Sequence, residues 1–90
     1  MACRTPNPEA LEVILHGVDR IVEVTDAEVA HAMRTLFECT HNVSEGAGAA
    51  PLAAALQEKH RNRGRKIAVT LSGGNIDKEV FASVLTGSFA

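Results

Sequence analysis

The sequence predicts an α/β fold, with a partial layered sheet of short parallel strands flanked by helices. Two capped helical patterns and two β-branched runs, "VDRIVEV" over residues 18–24 and "KIAVTL" over residues 66–71, give the order α-β-α-α-β-α. A strand, crossover helices and a second strand imply a right-handed parallel pair. Alanine and branched aliphatics dominate, with three Phe and no Tyr or Trp. Small residues suit closely stacked layers but give a stand-alone core little bulk.

The first helix is expected to start at Asn7-Pro8-Glu9, with Asn7 as cap, Pro8 in the first turn and Glu9 near the positive helix end. Leu11, Ile14, Leu15 and Val18 recur at helical spacing, and Gly17 is placed to end the helix. Residues 18–24 then alternate Arg20, Val22 and Val24 with Ile21 and Glu23, as a short strand near a sheet edge would. Thr25 and Glu28 have capping-box spacing before a helix whose apolar stripe is Val29, Met33, Leu36 and Phe37. The next helical pattern holds Leu52, Ala55 and Leu56, and Pro51 predicts a kink or a fresh start near Ala49. A charged connector over residues 58–66 leads into the second strand. The last helix is expected from Asp77 to Leu85, with Phe81, Val84 and Leu85 inward.

Ninety residues make one small domain, and a formal net charge of -2 gives no global field for nucleic acid or anionic membrane. No apolar run approaches a transmembrane span, and the start lacks the apolar core of a signal peptide. Cys3 and Cys39 fit no C-x-x-C or zinc pattern, so free thiols in a reducing cytoplasm are expected. The histidines at 16, 31, 41 and 60 have no metal spacing, and no metal site is predicted.

Ser72, Gly73 and Gly74 stand where the second strand leaves the sheet, at the end where open parallel sheets bind ligands. The glycines permit close backbone approaches that would expose the Ser72 hydroxyl to a ligand; spacing alone favours a tight strand-to-helix turn. Glu45, just before Gly46 and a helix start, reads either as electrostatic support for that helix or as an acid facing a cofactor. The run from Lys59 to Lys66 lacks aromatic interleaving and reads as a solvated loop.

"RTPNPEALEVI", "VTDAEVAHAMR", "SEGAGAAPLAAAL" and "KIAVTLSGGNID", in this order, resemble the C-terminal end of the threonine and serine dehydratases of the fold-type II pyridoxal-phosphate family. The resemblance covers nearly the whole chain and implies a partial domain over residues 1–90, about the last quarter of such an enzyme. It implies that Ser72 hydrogen-bonds the pyridine nitrogen of pyridoxal phosphate, that Glu45 lies near the cofactor ring, and that Gly73 lets the backbone approach it. It also implies β-elimination of a hydroxy-amino acid to a 2-keto acid and ammonia. The family's cofactor-linking lysine, phosphate cup, substrate-carboxylate loop and cation site have no counterpart here, so no catalytic residue is assigned and the cofactor site is partial. The expected partner is the remainder of the enzyme fold or a second copy. The alternative is a non-catalytic regulatory or assembly module derived from that fold.

Overall fold

Four helices carry all the regular secondary structure of residues 3–89, which the computed structural model describes: α1 (Pro8–Gly17), α2 (Asp26–Thr40), α3 (Gly46–Gln57) and α4 (Lys78–Thr86). The α/β expectation is thereby overturned. No strand is present among the described residues, and residues 18–24 and 66–71 form neither a parallel pair nor a sheet. The physical reason is that a strand is a pairing and not a propensity. Residues 19–24 and 66–72 enter no backbone–backbone hydrogen bond among the described residues, so β-branched content has nothing to form a ladder with. The first segment is nonetheless bounded by extended residues, Val18 (φ -94, ψ 146) and Thr25 (φ -84, ψ 161).

The helix starts follow the sequence closely. The Asn7 side chain accepts hydrogen bonds from the backbone of Glu9 (3.0 Å) and Ala10 (3.2 Å), with Pro8 in the first turn. Thr25 and Glu28 form the reciprocal capping box: the Glu28 N–H donates to Thr25 Oγ1 at 3.1 Å, and the Thr25 N–H to Glu28 Oε1 at 2.9 Å. Gly17 is the last residue of α1 rather than a left-handed stop, whereas Gly87 (φ 78) ends α4 in that conformation. The expected restart near Ala49 is absent, and α3 runs from Gly46 through Pro51 to Gln57 as one helix. Pro51 thus lies inside α3, where it has no N–H to donate to the Ala47 carbonyl.

The core lies where α2 packs on α3, closed at one side by α4. It consists of Val29, Ala30, Ala32, Met33, Ala49, Ala53 and Val84, with Leu36, Leu52, Ile76 and Phe81 half-buried against it. Ala32 and Ala49 are fully buried, and their small size brings the α2 and α3 backbones close. Phe37 and Phe81 meet edge to face with ring centroids 5.6 Å apart, and Arg34 Nη1 donates to the Val84 carbonyl at 3.0 Å near the end of α4.

The rest of the chain is pinned by polar contacts. The Arg20 guanidinium donates to both oxygens of Glu58, and Gln57 Nε2 donates to the Glu23 carbonyl at 2.8 Å, which ties residues 20–23 to the end of α3. α1 packs against no other helix among the described residues. Val13 (71% exposed) and Leu15 (65%) therefore stand in solvent, an unusual state for a helix that is apolar on more than one side, and Ile21 beyond the helix is 70% exposed.

Candidate functional site

The helix-start segment "SEGAGAA" and the loop segment "LSGGN", far apart in sequence, meet at the first turn of α3. Glu45 is the residue that caps α3, in an extended conformation (φ -79, ψ 169), and its N–H donates to the Gly73 carbonyl at 3.0 Å. A distant loop thus satisfies a backbone donor at the helix start. Ser44 beside it is fully buried and donates through Oγ to the Glu45 carbonyl at 3.0 Å.

Glu45 does not turn its carboxylate back onto its own helix, since its side chain makes no capping hydrogen bond. Instead the carboxylate lies over Gly73: a Cβ on Gly73 would come within 2.7 Å of Glu45 Oε1 and 3.0 Å of its Cδ. Two more glycines hold the loop in place. A Cβ on Gly48 would sit 2.5 Å from the Gly73 oxygen and 3.1 Å from its nitrogen, and a Cβ on Gly74 would sit 2.5 Å from the Val43 oxygen. These are backbone collisions that no rotamer change can relieve.

Of the three residues singled out from the sequence, Glu45 and Gly73 are therefore brought into contact and are both half-buried. Ser72, next in the chain to Gly73, is exposed, and its hydroxyl makes no hydrogen bond among the described residues. Gly48 was not singled out by sequence reasoning. Its signal was available only as the pairing of the two glycine segments, because a glycine at the third position of a helix carries no address for what it touches.

The arrangement fits one edge of a flat cofactor such as pyridoxal phosphate. It offers an exposed hydroxyl with no hydrogen-bond partner among the described residues, able to donate to a ring nitrogen, and a carboxylate held over the next residue in the chain, Gly73. A second cleft, of about 370 Å³, lies between α2 and α3 and is lined by Glu28, His31, Ala53, Leu56 and Lys59 among others. It contains none of the three predicted residues. In it the Glu28 carboxyl is held below the usual glutamate range, first by the Thr25 backbone N–H and then by the Gln57 amide.

Comparison with known proteins agrees with the glycine segments. The family described as pyridoxal-phosphate dependent enzyme matches residues 1–73, which include Glu45, Ser72 and Gly73. The L-threonine dehydratase catabolic TdcB of Staphylococcus aureus strain USA300 is 38% identical over 77 residues, covering 82% of this chain and 22% of its own length. The protein of the same name from a bovine strain of Staphylococcus aureus is 36% identical over 77 residues, with the same coverage. No solved structure matches. The chain spans about a fifth of the length of these curated relatives. On the match over residues 1–73 and the similarity to threonine dehydratases, this chain belongs to the pyridoxal-phosphate dependent enzyme family.

Proposed function

We propose that this chain supplies the pyridine-side wall of the cofactor site in a dehydratase that converts a hydroxy-amino acid such as threonine or serine to a 2-keto acid and ammonia. The observation that carries the reading is the contact of Glu45 with Gly73 beside the unengaged Ser72 hydroxyl. Pyridoxal phosphate, when bound, supplies the electron sink that makes loss of the α-proton and the β-hydroxyl feasible.

The chain's own residues set how strong that sink is. Ser72 Oγ donates a hydrogen bond to the pyridine nitrogen and, being neutral, leaves that nitrogen largely unprotonated. A moderate sink suits an elimination in which the hydroxyl departs promptly. Glu45 would hold a carboxylate near the ring, and the missing side chain of Gly73 is what makes room for that carboxylate. None of the lysines matches the family's cofactor-linking position: Lys59 lies in the turn after α3, Lys66 in a segment without regular structure and Lys78 at the first residue of α4. That role, and the phosphate cup, belong to a complementary part of the fold, with which this chain pairs through its exposed apolar segments. The two free cysteines, Cys3 and Cys39, are both exposed and suit a reducing cytoplasm.

Complementation tests this reading. Joined to, or mixed with, the upstream part of a catabolic threonine dehydratase, the chain is expected to restore cofactor absorbance and threonine deamination. Alone, with pyridoxal phosphate and borohydride, it should show no single stoichiometrically labelled lysine. Failure to restore cofactor absorbance in a folded complex, or turnover by the chain alone with one labelled lysine, contradicts the proposal.

A further inference from the structure

Resting on that reading, we infer that Gly48 is a positioning residue: its missing side chain lets the Gly73 peptide seat against the first turn of α3, and this fixes the loop that carries Ser72. Glycine is a poor helix residue and Gly48 is buried inside α3, so helix formation alone does not account for it. Its surroundings do. A Cβ there would meet the Gly73 oxygen at 2.5 Å and the Gly73 nitrogen at 3.1 Å, both backbone atoms. From another side the absent Cβ of Gly74 leaves room for the Val43 carbonyl, 2.5 Å from where it would stand. The loop is thus clamped between the first turn of α3 and the backbone leading into it, and the Glu45 N–H to Gly73 carbonyl bond closes the clamp.

Gly46 supplies an internal control. It stands in the same turn, but a Cβ there would find only Val29 Cγ1, at an ordinary 3.7 Å. Alanine at Gly46 leaves the loop where it is. The same change at Gly48 forces the Gly73 peptide outward, breaks the bond to Glu45 and moves Ser72 off the position from which it reaches the ring.

The test compares Gly46→Ala and Gly48→Ala in two readouts. In the isolated chain, hydrogen exchange at the Glu45 amide should be slow in the unmodified protein and in Gly46→Ala, and faster by about tenfold or more in Gly48→Ala. In the complemented enzyme, cofactor retention followed by its fluorescence should weaken by about tenfold in Gly48→Ala, the worth of one hydrogen bond, and stay unchanged in Gly46→Ala. Slow Glu45 exchange in a folded Gly48→Ala chain overturns the positioning role. Fast exchange with unchanged cofactor fluorescence supports the clamp and instead contradicts the cofactor contact of Ser72. Should Gly48→Ala fail to fold, the unmodified chain decides, because unprotected exchange at Glu45 there shows that no clamp exists.

Discussion

Replacing Ala49 by leucine probes the packing that carries the site. Ala49 is fully buried between α2 and α3, one turn along from Glu45, whose carbonyl accepts its N–H at 3.1 Å. Three added carbons have no vacant volume to enter, so α3 must move away from α2 or the side chain must leave its rotamer well. Overpacking of this kind costs about 1–3 kcal/mol. A chain of this length has a total stability on the order of 5–14 kcal/mol, and the sparse core of mostly alanine and valine places this one toward the lower end. The loss is therefore a large fraction of the whole. Ala47→Leu is the matched comparison, since Ala47 is exposed in the same helix and should change stability by less than about 0.5 kcal/mol. Urea denaturation followed by circular dichroism reads both variants. Equal midpoints for Ala49→Leu and Ala47→Leu would refute the α2–α3 packing as the scaffold of the site.

Three further outcomes follow from the caps, the paired carboxyls and the exposed surface. Thr25→Ala removes half of the capping box and should cost about 1 kcal/mol in the same denaturation experiment. The carboxyls of Glu28 and Glu58 are held below their ordinary value of 4.5, by the Thr25 backbone and by Arg20 respectively. Their contribution to stability is complete above that value and is lost as pH falls through the depressed folded values below it. An acid titration of the melting temperature should therefore show a smaller low-pH decline in the double variant Glu28→Gln, Glu58→Gln than in the parent; equal declines would count against these contacts. Finally, the exposed Val13, Leu15, Ile21, Ile67 and Val69 predict that the isolated chain self-associates or captures a complementary part. A monomer in ultracentrifugation with a cooperative, high-temperature melt contradicts this.

What the sequence made legible was local. Asn7, the Thr25–Glu28 pair and the stripe containing Val29 and Met33 each act within a few residues, so their spacing carries the information, and the structure places a cap or a buried residue at each. The two strands failed for the complementary reason. "VDRIVEV" and "KIAVTL" have strand composition, but a strand needs a backbone neighbour, and composition does not say whether one is present. Pro51 was legible only in part: the fresh start it allowed near Ala49 is absent, and where α3 begins is marked by Glu45 and the Gly73 carbonyl, a contact between distant segments. Gly48 was illegible for the same reason. The resemblance of the paired glycine segments conveyed what local physics could not, namely that Glu45 and the loop at Gly73 belong together.

The central claim is that Ser72 donates to a neutral pyridine nitrogen, and a comparison of two substitutions in the complemented enzyme tests it most directly. Ser72→Ala removes one modest hydrogen bond, on the order of 1 kcal/mol, and should weaken cofactor retention about tenfold while the fold and the product ratio persist. Ser72→Asp places a carboxylate at the nitrogen, raises its proton affinity through a charge-assisted bond and strengthens the electron sink. The measurement is the visible absorption spectrum of the bound cofactor together with the ratio of elimination to racemisation. The account predicts a shifted spectrum and more racemisation in Ser72→Asp alone. Unchanged spectra and product ratios in both variants, with losses that merely track thermal stability, would contradict it and leave Ser72 as a turn residue.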